Sequence, residues 1–436
     1  LFLREGGLLP DGRGLEVALP LEAEVEADNC LGGLNLPKGT ALVGLVPGAS
    51  RPERCWPPEQ FARTALLLLK KRPCHFFIFG SAGEAPLGQS LSRFLPPAAT
   101  TLLMGRTSPA VLGAYLKRLR VLITNDTGPM HLAAAVGTPV VALFLASARV
   151  QDTGPVGQGH VIMEPRLDCH PCLAPCPQTP CHRAISPEAV FLWADKILSN
   201  EALTPGGDEQ AHLCPRVYLS ATDPQGYHAY LPLGRRPLGR RDFWLWLHRS
   251  VWGKELDGPD FSPAPLQAWL EKVLRDWYLP PCQDLALKTG ETYLLDLCRT
   301  AGRGEALAGE IARLVEQGHL FPGRVWPKVE ALRSVDQGLR RIGAGFPELS
   351  SLVEFYFQDQ RGQDGTEAPL LARDLQMSYA RLRRLGESAL RCLADLGLTL
   401  APQKGREHSL KMAQSVHNSL VNRDVLPPES EGLSCR

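Results

Sequence analysis

From residue 41 onward, apolar and polar positions alternate in blocks, and the blocks predict the elements. Short apolar runs at 43–46, 76–79, 101–103, 121–124, 140–144 and 160–163 have the length and β-branched or aromatic character of strands. Between them apolar residues recur at helical spacing: Phe61, Ala65, Leu68 and Leu69, then Leu87, Leu91 and Leu95, then Val111, Leu112, Tyr115, Leu116 and Leu119, and finally Val190, Trp193 and Ile197. Pro57-Pro58, Ser108-Pro109 and Ser186-Pro187 mark helix starts, because proline is tolerated in a first turn and serine caps it. Strand and helix alternating at this spacing imply parallel strands, right-handed crossovers and helices on both faces, a doubly wound Rossmann-like α/β sheet over 41–200. Ligands in such sheets bind outside the carboxyl ends of the strands, the edge on which the turns at Ser50, Gly80, Thr107 and Thr127 fall.

The pattern stops at 201–214, which is expected to be a linker. Two strand-like pieces follow at 216–220 and 227–231, and then helical stripes at 241–252, 263–277, 291–316, 325–341 and 370–396. Residues 215–400 are therefore expected to form a mainly α-helical domain, 401–436 a polar tail, and 1–40 a linker or the remnant of an N-terminal domain. A length of 436 residues agrees with two domains. A net charge of +1 with 21% charged residues argues against a nucleic-acid binder held by bulk electrostatics. No apolar run reaches the roughly 18 residues of a membrane span. The run from Arg235 to Arg241 with Phe243, Trp244 and Trp246 reads as core aromatics beside a solvated arginine edge, with an anionic membrane surface as the other reading.

Of twelve cysteines, Cys169, Cys172, Cys176 and Cys181 cluster in one proline-rich loop while the rest are scattered. That distribution fits a reducing, cytoplasmic protein better than a secreted disulfide scaffold. The four thiols could surround one metal. A structural zinc is the preferred ligand, an iron–sulfur cluster the second, and free thiols or disulfides the remaining reading.

The stretch Asn125-Asp126-Thr127-Gly128-Pro129-Met130-His131 carries the strongest chemistry. A helix starting at Gly128 or Pro129 points unpaired N–H groups at the turn beside the Thr127 hydroxyl and the Asp126 carboxylate, a ready site for phosphate. The plainer reading is that Asp126 or Thr127 only caps the helix. On the same edge, Pro47-Gly48-Ala49-Ser50 offers small residues and a hydroxyl, and Arg54 offers a cation able to bridge two phosphate oxygens. Glu84 sits where a carboxylate could accept from ribose hydroxyls, although a glutamate in a first helical turn needs no such role.

These motifs, with Arg54-Cys55-Trp56-Pro57, Gly80 to Glu84 and Thr153-Gly154-Pro155, resemble in order and spacing the heptosyltransferases of glycosyltransferase family 9; the similarity covers residues 40 to 198. The cysteine segment followed by Ile185-Ser186-Pro187-Glu188 is similar to one branch of that family. The resemblance implies the donor-binding, C-terminal half of a two-Rossmann-domain (GT-B) enzyme. Such an enzyme would transfer heptose, with inversion, from ADP-heptose to lipopolysaccharide core at the cytoplasmic face of the inner membrane, with no cofactor needed for the chemistry. It further implies that Ser50 and Arg54 hold the diphosphate, Glu84 meets the ribose, Thr127 and Gly128 bind the pyrophosphate, and Asp126 and His131 line the donor site.

Two departures stand out. Arg54 occupies a position where the family often has lysine, and Leu145 one where glycine commonly follows the strand. The family's general base belongs to an acceptor domain ahead of the donor domain, and no residue of this chain carries over as that base. The chain is accordingly expected to be one part of a longer enzyme that binds donor without completing turnover alone. The alternative reading is a non-catalytic nucleotide-sugar-binding module with a helical interaction domain.

Overall fold

A computed structural model describes residues 14–395 except 168, 173–175, 177, 205–214, 224–225, 258–263, 280, 282–283, 319–321 and 362–367. Most of the expected linker at 201–214 and the whole expected tail at 401–436 lie outside the described residues. The chain divides into two compact units, one of them residues 5–236 with 272–279, the other mainly residues 237–271 and 280–436.

The first unit is a doubly wound sheet. Its strands are β1 (Ala41–Val46), β2 (Cys74–Ile78), β3 (Thr100–Leu102), β4 (Val121–Asn125), β5 (Val140–Leu143), β6 (Val161–Glu164), β7 (Arg216–Thr222) and β8 (His228–Pro232), in the order β3-β2-β1-β4-β5-β6-β7-β8. The first six pair in parallel, and β7 and β8 continue the sheet antiparallel. The strand order reverses between β1 and β4, which opens a crevice at their carboxyl ends.

The buried strands are near-continuous apolar runs because both faces are covered. Val43, Phe76, Ile78 and Ile123 face α2 (Pro58–Lys71), α3 (Ala85–Ser92) and α8 (Pro187–Leu198) through Phe61, Leu68, Leu91 and Trp193. Phe77, Phe79, Leu122 and Ala142 face the other layer, α1 (Leu21–Gly33), α4 (Pro109–Arg118) and α5 (Gly128–Ala135), through Ala27, Tyr115 and Met130. The connections after β5 and β6 carry two short helices, α6 (Val150–Thr153) and α7 (Cys181–Ala184).

Two features extend the sheet domain past its expected bounds. Ala23 and Ala27 of α1 are buried, and Glu24 and Asp28 pair with Lys117 and Arg118 of α4, which brings residues expected to be linker onto the sheet. Strands β7 and β8, expected to belong with the helices, instead close the far side of β6.

The second unit is helical: α9 (Arg240–Asp257), α10 (Ala264–Trp277, whose last turns group with the sheet), α11 (Leu287–Glu316), α12 (Pro322–Gly345), α13 (Ser350–Arg361) and α14 (Ala368–Asp395). Phe243, Trp244, Trp246 and Leu247 of α9 are buried, and the Trp244 indole N–H donates to the Leu285 carbonyl at 3.0 Å. The aromatics are thus core. The arginines differ from a solvated edge, since Arg240 pairs with Glu348 and Arg236 lies 4.9 Å over the Tyr218 ring.

Gly304 of α11 admits the ring of Tyr379 from α14, and the hydroxyls of Tyr379 and Tyr356 both donate to Asp336 Oδ1, at 2.7 and 2.9 Å. Burial pushes both phenols well above their ordinary range, so they remain donors. A Cβ at Gly304 would stand 2.4 Å from that ring. Gly304→Ala is therefore expected to destabilise the helical unit by about 1–3 kcal/mol through overpacking. Urea denaturation followed by circular dichroism checks this, and an unchanged midpoint would mean that the ring is not confined there.

Candidate functional site

Asn125 ends β4 fully buried, an unusual place for an amide unless its hydrogen bonds are made. Its Nδ2 donates to the carbonyls of Pro47 at 2.9 Å and Gly48 at 3.2 Å, and its Oδ1 accepts from the Trp56 backbone N–H at 3.0 Å. One side chain thereby ties the turn after β1 and the entry to α2 to the end of β4. Trp56 is itself buried, with its indole N–H donating to the Ile185 carbonyl at 3.2 Å.

Held by that clamp, the turns bring Arg54, Asp126 and Ser147 together, with Thr153 and His131 beside them. The Arg54 guanidinium closes a 3-10 turn (Pro52–Arg54) and lies 3.4 Å from Asp126 Oδ2, with Nε and Nη2 donating to the Ser147 hydroxyl at 3.2 and 3.0 Å. Thr153 and His131 lie close enough to favour the charged form of Asp126. Asp126 is 8% exposed, and its burial raises the carboxyl above the ordinary value of 3.8, against the opposing pull of Thr153, Arg54 and His131.

Helix α5 begins directly behind this group. Thr127 is its N-cap residue but makes no side-chain cap bond, and its buried hydroxyl has no protein partner. The plain capping role is therefore unfilled. Gly128 is exposed, and a Cβ placed there would meet nothing within 4 Å, leaving open space at the helix terminus. Pro129 has no N–H and the Met130 N–H is taken by the Thr127 carbonyl at 3.1 Å, so the Gly128 N–H is the donor left at this terminus; with the Arg54 guanidinium on the same edge, it suits a bound anion.

Glu84 has a double position. Its Oε2 accepts from the Ser81 backbone N–H at 2.7 Å and the Ser81 hydroxyl at 2.8 Å, completing a capping box. Its Oε1 packs on Gly48, where a Cβ would fall 1.8 Å away, so the turns after β1 and β2 meet through this pair. Ser50 is exposed on the same edge.

Sequence reasoning missed three members. Asn125 was signalled by an amide ending a fully buried strand. Thr153 lay inside a motif without a role of its own. Ser147 had no signal, because it reaches Arg54 only through the turn after Leu145. Leu145 is fully buried in the core, and the left-handed backbone follows at Ala146, with φ +53°.

The cysteine loop does not form the expected metal centre. Among the described residues no group of three or more His, Cys, Asp or Glu side chains is arranged to hold a metal ion. Cys181 is buried in the apolar core, which raises its thiol pKa, whereas a metal ligand must be a thiolate. Cys169 is exposed, Cys172 and Cys176 are half-buried, and all four are free.

Residues 16–182 match glycosyltransferase family 9 (heptosyltransferase), which bears out the resemblance in the motifs. The chain is 28% identical over 176 residues to lipooligosaccharide heptosyltransferase 2 of Campylobacter jejuni, spanning 39% of this chain and 55% of the relative. It is 32% identical over 107 residues to the Haemophilus influenzae protein of the same name, spanning 24% and 31%. The chain thus covers between about a third and about half of these relatives' length. Among solved structures, it is similar to Escherichia coli ADP-heptose LPS heptosyltransferase II at a TM-score of 0.36 and 22% identity, covering 42% of this chain and 54% of the other. A glycosyl transferase family 9 protein of Veillonella parvula gives 0.39 and 24%, covering 43% and 54%.

Two outcomes follow from the clamp and the buried carboxyl. Asn125→Asp sets a carboxylate against two carbonyls and is expected to cost about 3 kcal/mol in urea unfolding at neutral pH. A loss below half of that would show that the loops are held elsewhere. For Asp126, a folded pKa raised above the unfolded one means a contribution fully present below pH 3.8 and lost as pH rises through the folded value. The stability of the wild type relative to Asp126→Asn should therefore fall with pH across that window. A difference rising with pH, measured by urea titration at several pH values, would reverse the assignment.

Proposed function

We propose that the carboxyl edge of the sheet binds the diphosphate of a nucleotide sugar, with ADP-heptose the first candidate, and that the chain supplies the donor-binding half of an inverting heptosyltransferase acting on lipopolysaccharide core. The observation that supports this most is the exposed start of α5 at Gly128, next to the unpartnered Thr127 hydroxyl and on the sheet edge that carries Arg54, within residues matched to glycosyltransferase family 9.

In this reading Arg54, Thr127, Gly128 and Ser50 hold the diphosphate. Asp126 keeps Arg54 oriented, and Glu84 and His131 line the sugar-nucleotide side. Transfer with inversion requires a base to take the proton of the acceptor hydroxyl, and donors to stabilise the departing diphosphate. Arg54 and the α5 terminus answer the second need, acting where negative charge accumulates as the glycosidic bond breaks. The first belongs, on this reading, to a segment or partner outside these residues. The chemistry would need no cofactor. Such an enzyme would work in the cytoplasm at the inner face of the inner membrane; no helix among the described residues is long and apolar enough to cross a membrane.

A second reading, a nucleotide-sugar-binding module without catalysis, has its own support. Asp126 is engaged by Arg54, and Glu84 by Ser81, so both carboxylates already have a partner. Turnover of ADP-heptose with a lipopolysaccharide acceptor separates the two readings.

Calorimetric titration with ADP, ADP-heptose and UDP sugars tests the shared part. ADP ligands are expected to bind, with Arg54→Ala weakening them at least about tenfold and Thr127→Val about fivefold, the scale of a charge-assisted and a neutral hydrogen bond. Equal affinity in both variants, or no binding of ADP at millimolar concentration, would refute the assignment.

A further inference from the structure

Ser147 stands on the turn after β5, half-buried, and its hydroxyl oxygen receives two N–H groups from one cation, Arg54 Nε at 3.2 Å and Arg54 Nη2 at 3.0 Å. A hydroxyl has one hydrogen to give and two lone pairs to fill. With the guanidinium on its acceptor side, the Ser147 hydrogen has to turn away from Arg54, and no protein acceptor takes it among the described residues. The contact of Nη1 with Asp126 Oδ2 at 3.4 Å fixes the guanidinium at a second point, so the plane that faces Ser147 does not swing freely.

The turn is anchored on both sides of this residue. Leu145 and Ala148 are buried, and the Ala148 N–H donates to the Leu145 carbonyl at 3.0 Å. Further along, the Val150 N–H donates at 2.9 Å to Oε1 of Glu164, a carboxylate with no exposure to solvent at the end of β6. The backbone thus holds the hydroxyl in place, and Arg54 decides which way its hydrogen points.

We propose that Ser147 is a further binding residue of this site: Arg54 makes its hydroxyl a fixed donor, and that hydrogen goes to an oxygen of the bound nucleotide diphosphate. This rests on the nucleotide-diphosphate reading above. An anion is the acceptor that suits the pair, because a hydroxyl polarised by a neighbouring cation gives a stronger hydrogen bond, and a charged oxygen gains most from it. The guanidinium keeps one N–H on each of Nη1 and Nη2 beyond those given to Asp126 and Ser147. Arg54 would therefore act on the ligand twice, through its own remaining hydrogens and through the hydroxyl that it orients. Without the guanidinium the hydroxyl rotates freely and loses both its direction and its polarisation.

The dependence of one residue on the other supplies the test. Calorimetry with ADP on the full chain compares wild type, Ser147→Ala, Arg54→Ala and the double variant. Ser147→Ala is expected to weaken ADP about fivefold while Arg54 is present. In the Arg54→Ala background the same change should cost less than about twofold, the signature of two residues acting as a unit. A Ser147→Ala chain that binds ADP as the wild type does would overturn the role of Ser147. A loss of equal size in both backgrounds would place its effect in the turn rather than in a hydroxyl directed by Arg54, and would overturn the proposal as well. If the wild-type chain binds no ADP, the nucleotide reading itself falls and takes this role with it, an outcome distinct from a wild type that binds ADP and a Ser147→Ala variant that binds it equally.

Discussion

The amide of Asn125 is the constraint on which the sheet edge depends. An isolated strand end fixes nothing about the loops beside it, since each loop can satisfy its carbonyls with water. Burying one amide against Pro47, Gly48 and Trp56 removes that freedom, because any of them that moved would leave a buried polar group without its partner. The position of Arg54 follows from this, for it sits between the Gly48 turn and Trp56. The Glu84 carboxylate rests on the same Gly48 and so takes its place from the same amide.

What the clamp holds in place is locally unfavourable. Asp126 carries a charge into a site where burial opposes ionisation, and Thr127 keeps a hydroxyl without a protein partner. Both conditions lower stability in the free protein. The core on each face of the sheet, with Trp56, Phe61 and Phe77 fully enclosed, offsets them.

Much of this was legible in the chain. Strands at 43–46, 76–79 and 121–124 were readable because both sheet faces are covered, which turns each into an unbroken apolar run. The pairing of Arg54 with Asp126 was readable only as shared membership of one edge, since spacing places residues on an edge without giving side-chain direction. Helix α1 escaped because it docks through two alanines, Ala23 and Ala27, too small to mark an apolar stripe. Strands β7 and β8 escaped because the helical pattern that follows them is the stronger signal, and antiparallel addition to a parallel sheet leaves no periodic trace. The cysteine spacing suggested a metal, but spacing cannot reveal that Cys181 is drawn into the core while Cys169 stays in solvent.

Strands β7 and β8 also govern how the molecule behaves toward its own copies. A parallel sheet that ended at β6 would present Val161, Ile162 and Met163 along an open edge, an apolar row of unpaired amides and a template for strand addition by another chain. The antiparallel pair moves that edge outward to β8, which is short and ends in Pro232, a residue with no N–H to offer a newcomer; the opposite edge, β3, is only three residues long. A chain cut at residue 200, where the helix-and-strand alternation stops, would keep the carboxyl edge of the six parallel strands and leave that row uncovered. The hairpin that covers this row lies beyond the residues matched to glycosyltransferase family 9.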